Sequence, residues 1–457
     1  MKYVSTRSSA GKVDAAQAIV AGLAPDGGLY VPESFPAFAL GRVKDMAEQP
    51  YPDRAREVMG AYLTDFSEAE LCACARQAYA PERFGDCPAP LKAVGDLHVL
   101  ELWHGPTHAF KDMALQMLPR LMPLAMKKTG VDKQVFILVA TSGDTGKAAL
   151  EGFCGVEGTQ VGVFYPVDGV SPAQKLQMIT QEGENTHVCA VQGNFDDAQT
   201  GVKRIFGDEA FARELAEKGV ELSSANSINW GRLVPQVVYY FSAYADLLKK
   251  GVIALGDEVN FCVPTGNFGN ILAAYYAKRM GLPVGKLVCA SNANNVLFDF
   301  IEQGVYNANR PFHKTTSPSM DILVSSNLER LLYELCDRDG ALVASWMQAL
   351  KSGGTYAVGE AVHRALMESF AAGWADDEKA MEAIARVHAE CDYTMDPHTA
   401  VAWSVAEAYR AHTGDRRPMV VVSTASPYKF SRSVLTALQG AEAVQALDEF
   451  ACADALE

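Results

Sequence analysis

From about residue 97 onward, short apolar or β-branched runs bounded by turn residues alternate with longer stretches whose apolar side chains recur three and four apart. The runs at 134–140, 159–165, 187–191, 259–263, 286–290 and 419–422 predict strands, and 147–153, 196–206, 234–248 and 271–280 predict helices between them. Strands that alternate with helices fold as parallel sheets covered on both faces, an α/β architecture whose ligands sit beyond the carboxyl ends of the strands. The loops that leave those strands are therefore where chemistry is sought. The earlier part of the chain differs: a short strand at 3–6 precedes helical stretches such as 15–23 and 54–63, broken by turns such as Pro25-Asp26-Gly27-Gly28. We read an accessory N-terminal domain over residues 1–95, one α/β region over 96–250 and a second over 251–457.

The 457 residues are enough for two or three cores. With 49% hydrophobic and 21% charged residues, the chain has the composition of a folded globular protein and not of a disordered tail or fibre. Its formal charge of -15 repels phosphate backbones and anionic lipid surfaces, so neither nucleic acid nor a membrane is an expected partner. A small anionic substrate is compatible with that charge, since a site needs only a few local cations and N–H groups. The opening Met1-Lys2-Tyr3-Val4-Ser5-Thr6-Arg7 has no apolar core of a signal peptide, and no stretch reaches the roughly 18 apolar residues of a membrane span, so a cytoplasmic protein is expected. Ten scattered cysteines, none in a Cys-x-x-Cys pair, read as buried thiols and not as a disulfide frame or a metal site.

Four segments carry candidate chemistry. In His104-Gly105-Pro106-Thr107-His108-Ala109-Phe110-Lys111-Asp112 a turn leads into the helical pattern at 113–118. A lysine there, beside an aromatic ring, can lose hydration, which lowers its pKa and supplies the neutral amine of a Schiff base. By itself the segment reads first as a surface lysine on a first turn, although the helix dipole disfavours a cation at that end. His104 and His108 are four apart, but Gly105-Pro106 breaks any helix between them, and with it a zinc pair. After the run at 134–140, Thr141-Ser142-Gly143-Asp144-Thr145-Gly146-Lys147-Ala148 opens a helix with N–H groups exposed, a natural anion cradle. A nucleotide-binding P-loop would need Gly where Thr141 stands and Ser or Thr where Ala148 stands, which disfavours a kinase.

The run at 259–263 is followed by Pro264-Thr265-Gly266-Asn267-Phe268-Gly269-Asn270 and an Ala-rich helix. Two glycines three apart let a phosphate approach the backbone, and Asn270 is placed to cap the helix; a plain strand-to-helix turn explains the segment equally. The fourth segment, Ala225-Asn226-Ser227-Ile228-Asn229-Trp230-Gly231-Arg232, offers a guanidinium fork for a phosphate, against a polar helix cap with Arg232 exposed. Asp396-Pro397-His398-Thr399 reads as a capping Asp with proline at the first helical position.

In order along the chain, HGPTHAFKDMALQ, TSGDTGKAAL, NSINWGRLVPQVVYYF and PTGNFGN resemble threonine synthases of the fold type II pyridoxal-phosphate family. GLAPDGGLYVP, DPHTAV and STASPYKF resemble the longer bacterial and fungal branch, which has an extra N-terminal domain; together the likeness runs from about residue 3 to 430. It implies a tryptophan synthase β-like fold, pyridoxal 5'-phosphate as cofactor, no metal, and conversion of O-phospho-L-homoserine and water to L-threonine and phosphate by a monomer or homodimer. It implies Lys111 as the lysine that carries the cofactor, Gly266, Asn267, Phe268, Gly269 and Asn270 as the cofactor-phosphate cradle, and Thr424 as partner of the ring nitrogen. Thr141, Ser142, Gly143, Asp144 and Thr145 would then meet the substrate carboxylate, and Lys147, Ser227, Asn229 and Arg232 the substrate phosphate. The family often has His-Pro-Ala where this chain has Ser426-Pro427-Tyr428, and Ala where it has Pro235. A serine or threonine dehydratase of the same fold would also use a lysine and a phosphate loop, but would need no grip on a substrate phosphate.

Overall fold

The computed structural model describes residues 1–8, 11–141, 143–167, 170–193 and 195–457. The strand expected at 259–263 forms as Val259–Pro264 with all six residues buried. It lies inside a six-stranded sheet whose order is Phe370–Trp374, Val284–Ser291, Val259–Pro264, Met419–Ser423, Leu97–Glu101 and Leu91–Val94. The pairings are parallel except at the last edge, where Leu91–Val94 runs antiparallel to Leu97–Glu101. A central parallel strand meets helices on both faces, which is why Val259–Pro264 and Met419–Ser423 read as nearly unbroken apolar runs. A second, wholly parallel sheet has the order Thr186–Val191, Thr159–Pro166, Gln134–Ala140, Val220–Ser224. The fold is that of two mixed-to-parallel α/β layers with an N-terminal unit attached.

All six strands predicted after residue 97 and the short one at 3–6 are present, their ends within two residues of those expected. Four further strands of these two sheets escape the hydropathy pattern. Leu91–Val94 and Phe370–Trp374 are sheet edges with partly exposed residues, and Val220–Ser224 ends on two serines that are buried because the layers close over them. Leu97–Glu101 ends on a glutamate, yet Glu101 is 1% exposed and bonded to His104 and Tyr393. The strand Leu97–Glu101 also ties the residues just after the N-terminal unit into the same sheet as Met419–Ser423, so the large layer is assembled from both ends of the chain.

The helix predicted at 234–248 spans Trp230–Lys249, with Pro235 inside it. It starts earlier than the pattern suggests because Asn229 caps it, its Oδ1 accepting the Gly231 N–H at 2.8 Å. This helix is the platform on which the N-terminal unit rests. Trp230 is fully buried among Tyr3, Tyr62 and Tyr276, with ring centroids 5.1, 5.4 and 5.9 Å away. Truncating an indole in such a cluster costs about 3–5 kcal/mol. Arg54, from the helix Tyr51–Tyr62, adds a nearly buried ion pair with Asp246 at 2.7 Å and a bond to Ser242 Oγ at 2.7 Å. The Asn229 amide also donates to the Ile19 carbonyl of the helix Ala15–Ala21 at 3.0 Å. The N-terminal helices thus brace the far side of the element that carries Arg232. Among the described residues, no helix is long and apolar enough to cross a membrane.

Candidate active site

Four strand ends converge on one cleft. Thr145 follows Gln134–Ala140, Asn226 and Ser227 follow Val220–Ser224, Thr265 to Gly269 follow Val259–Pro264, and Thr424 follows Met419–Ser423. The cleft is concave and lined by loop residues together with the side chains of Phe110 and Met320, the form of a small-ligand site. Lys111 enters it from the turn before the helix Asp112–Leu115. Its segment is pinned to the end of the large sheet: Phe110 N–H donates to the Thr424 carbonyl at 2.9 Å and Ser426 N–H to the His108 carbonyl at 3.1 Å. That pairing puts Lys111 and Thr424 on the same wall although 313 positions separate them (424 − 111).

The Lys111 side chain is 12% exposed, with Nζ 3.4 Å from Asp144 Oδ2 and 3.4 Å from Ser319 Oγ, and 4.9 Å from the centre of the Phe110 ring. Burial pushes its pKa below the usual lysine range; Asp144 pulls it back up, and the cations Lys429 and Arg232 add to the fall. Burial opposes ionisation of Asp144, but Lys429, Lys111 and the amide of Gln174 hold its carboxyl well below the usual range. The cluster is therefore a carboxylate held toward its ionised form among cations, beside a lysine whose charged form is disfavoured by burial.

The turn after Val259–Pro264 is built to face an anion. Phe268 adopts a left-handed conformation at φ 64° and stands as N-cap of the helix Gly269–Arg279 without supplying a side-chain cap, so the first-turn N–H groups are left to a ligand. Gly266 is required by a close approach: a Cβ there would meet the Ser319 carbonyl oxygen at 2.7 Å. Asn270 is not the helix cap. It lies inside the first turn, and its Oδ1 accepts the hydroxyls of Tyr239 at 2.5 Å and Tyr240 at 2.6 Å, which anchors the turn to the helix Trp230–Lys249. Asn267 is held from behind, its carbonyl accepting the Asn327 amide at 3.1 Å.

Arg232 is not an exposed residue of a helix start. It is 3% exposed, lines the cleft and donates through Nη1 to the Ala225 carbonyl at 2.7 Å, while among the described residues its Nε has no hydrogen-bond partner and no carboxylate forms an ion pair with it. Burial lowers its pKa to about 10. Ser227 lines the same wall and accepts the Asn327 amide at 3.1 Å, so Asn327 joins the two loops. The remaining predicted residues stand apart from the cleft. Asn229 is occupied in capping the helix and in holding the Ile19 and Ser224 carbonyls. Lys147, on the helix Asp144–Phe153, pairs with Glu151 at 3.4 Å and with Gln181 and does not line the cleft. Thr141 shapes its loop by accepting the N–H groups of Gly143 and Gly146 at 2.9 Å each. Gly143, at φ 134°, could not bear a Cβ, which would sit 2.4 Å from Gln174. Ser142 lies outside the described residues.

Several cleft residues were not among the site residues expected from the sequence. Ser319 and Met320 come from the turn Pro318–Met320, Gln236 from the second turn of the helix Trp230–Lys249, and His398 from the start of the helix Pro397–Thr413. Asp396 caps that last helix as its sequence predicts, yet it also holds the ring of His398 toward the site at 2.6 Å. Asn226 lines the cleft in place of Asn229. Taken together, an uncapped helix start, a desolvated lysine and the hydroxyl of Thr424 fit a phosphorylated aldehyde cofactor: the helix start suits phosphate oxygens and the lysine suits the aldehyde, while the buried guanidinium of Arg232 offers a further place for an anion.

Comparison with known proteins agrees with that chemistry. Residues 2–79 match the family described as threonine synthase N terminus, 86–425 the pyridoxal-phosphate dependent enzymes, and 399–453 the threonine synthase C-terminal family. Threonine synthase of Pseudomonas aeruginosa is 41% identical over 95% of this chain and 90% of its own length. Human threonine synthase-like 1 is 42% identical over 93% of this chain, which spans only 58% of that longer protein. The crystal structure of pyridoxal-phosphate-bound threonine synthase from Brucella melitensis superposes with a TM-score of 0.88 at 41% identity, covering 97% of this chain and 92% of that one. The chain therefore belongs to the threonine synthase family of pyridoxal-phosphate-dependent enzymes, with pyridoxal phosphate as its cofactor.

Proposed function

We propose that this protein converts O-phospho-L-homoserine and water into L-threonine and phosphate. The observation that carries the reading is Arg232: a buried, unpaired guanidinium in the same cleft as the helix start at Gly269 gives the site a second place for an anion. A cofactor with one phosphate needs one such place, whereas a substrate that brings its own phosphate needs another. A dehydratase of serine or threonine would leave the second charge without a partner.

In this reading the Gly266–Asn270 turn holds the cofactor phosphate, Thr424 meets the ring nitrogen with a neutral hydroxyl, and Lys111 anchors the cofactor through Nζ. When bound, the cofactor supplies an electron sink for charge that develops on the substrate. Released by the incoming amino group, Lys111 takes the proton from Cα, passes it on, and takes one from Cβ as the Cγ–O bond breaks and phosphate leaves; a proton is then delivered to Cγ, water adds its hydroxyl at Cβ, and Cα regains a proton to give threonine. Its accessible neutral form suits that work, because burial and two neighbouring cations disfavour the ammonium. Asp144 and Thr145 border the place of the substrate carboxylate; with Asp144 ionised, the loop N–H groups and Thr145 do the binding while Asp144 orients the lysines. Arg232, with Ser227 and Asn226, draws the substrate phosphate away from Lys111. Of the ten cysteines read from the sequence as buried thiols, only Cys74, Cys262, Cys289 and Cys452 are buried.

The test is an assay of purified protein with O-phospho-L-homoserine. Threonine and phosphate are expected in equal amounts, and borohydride should fix the cofactor on Lys111. Release of ammonia from serine or threonine, with no phosphate from phosphohomoserine, would replace this reading by the dehydratase.

A further inference from the structure

One buried charge beside Lys111 enters the scheme above only as a neighbouring cation, and the contacts that hold it in place have no role there. Lys429, in the turn Pro427–Phe430, is 6% exposed, a degree of burial that lysines rarely reach without a partner. Its Nζ lies 2.8 Å from Asp144 Oδ1 and donates to the Thr107 carbonyl at 2.8 Å. Asp144 is therefore shared. Oδ1 faces Lys429 and also accepts the Gln174 amide at 3.0 Å; Oδ2 faces the Ser319 hydroxyl at 3.1 Å and Lys111 at the longer distance of 3.4 Å. The carboxylate makes its close contact with the lysine that does no chemistry.

We infer that Lys429 is a positioning residue: by holding Asp144 at contact distance, it keeps that carboxylate from closing a full ion pair on Lys111 and leaves the Lys111 amine available as nucleophile and base. The geometry requires three parts of the chain. Asp144 begins a helix of the small-sheet layer, Lys429 follows the last strand of the large sheet, and Lys111 lies between them. Among the described residues, the other charged or titratable groups that face this cluster are Arg232 from the helix Trp230–Lys249, Asp112 and His108 from the segment of Lys111 itself, and His398, which bonds to the N–H of Ser319. Of these, only Arg232 reinforces Lys429 in disfavouring a charged Lys111. A lysine that served packing alone would be replaceable by a neutral side chain of similar length; one that holds a shared carboxylate would not.

The inference rests on Lys111 as the cofactor lysine. The experiment measures, on the full-length chain reloaded with pyridoxal phosphate at a series of pH values, the rate of borohydride-trapped attachment at Lys111 by peptide mass. Attachment joins Nζ to the aldehyde carbon with loss of water and needs the nitrogen lone pair, so the rate follows the neutral amine. K429M is expected to move the midpoint of the profile upward by about one pH unit, since a like charge is lost and Asp144 is freed to pair with Lys111. K429R, which keeps the charge, is expected to restore the profile. A folded K429M with the original midpoint overturns the inference. Should K429M fail to fold, D144N carries the test: with the shared carboxylate neutral the midpoint is expected to fall by about one unit, and an unchanged midpoint overturns it. Trapping at another lysine in the unaltered chain would overturn both the assignment of Lys111 and the inference.

Discussion

Ser319 donates its backbone N–H to Nε2 of His398 across 3.1 Å. For Nε2 to accept, the ring proton must sit on Nδ1, which lies 2.6 Å from Asp396 Oδ2. The tautomer is thus set by a buried carboxylate whose other oxygen accepts the Thr399 N–H at 3.2 Å. Through this chain Asp396 fixes the backbone of the residue whose hydroxyl stands between Asp144 and Lys111. We expect H398A to lower kcat/KM about 10- to 100-fold, the range that follows when a reacting group drifts by about an ångström. The shift should be accompanied by an altered absorbance of the bound cofactor. Wild-type kcat/KM in H398A would remove the imidazole from this role.

Arg232 offers a second prediction, because an unpaired buried cation burdens the empty protein and rewards an anion. Inorganic phosphate at about ten times its dissociation constant should stabilise the unaltered protein by about 1.4 kcal/mol through mass action. R232M should gain less than half of that, while melting no lower than the unaltered protein in phosphate-free buffer. Its KM for O-phospho-L-homoserine should rise at least about tenfold, the equivalent of one lost charge-assisted contact. Equal stabilisation by phosphate in both proteins would place the anion elsewhere.

Asp112 gives a pH signature. Burial raises its carboxyl pKa from 3.8 to about 6, against the Thr107 N–H and hydroxyl that each donate to it at 2.8 Å. A carboxyl whose folded pKa is raised favours the fold while protonated, so its contribution is full below pH 3.8 and is lost as pH rises through about 6. D112N, neutral throughout, lacks this loss. The difference in unfolding free energy between D112N and the unaltered chain should therefore move in favour of D112N by on the order of 2 kcal/mol between pH 4 and 7. Urea midpoints measured across that range would show it; a constant difference would mean that Asp112 is ionised in both states.

The cleft was legible where its residues are neighbours in sequence. The Phe110-Lys111-Asp112 segment, the Gly266–Asn270 turn and the Asn226 to Arg232 stretch each place small, polar or cationic residues at a strand end or helix start, and such positions face ligands in an α/β fold. It was not legible where side-chain direction decides. Lys147 belongs to the same loop motif as Thr145, but two further residues along a helix turn it through about 200°, away from the cleft and toward Glu151. Asn229 and Asn226 are both candidates by type, and only the start of the helix at Trp230 decides that one caps while the other lines the site.

Local pattern settles the strands, the helices and the chemistry of each loop, because period, turn residues and hydration of single side chains act over a few positions. It says nothing of which loops meet. Lys429 and Asp144 are 285 positions apart (429 − 144), and their 2.8 Å contact exists because parallel strands point their carboxyl ends the same way and the two sheets close on one another. The low polarity of that closed interface turns a salt bridge, a lone guanidinium and a half-desolvated lysine into a site with shifted charges. Those shifts depend on burial, and burial is a property of the folded whole.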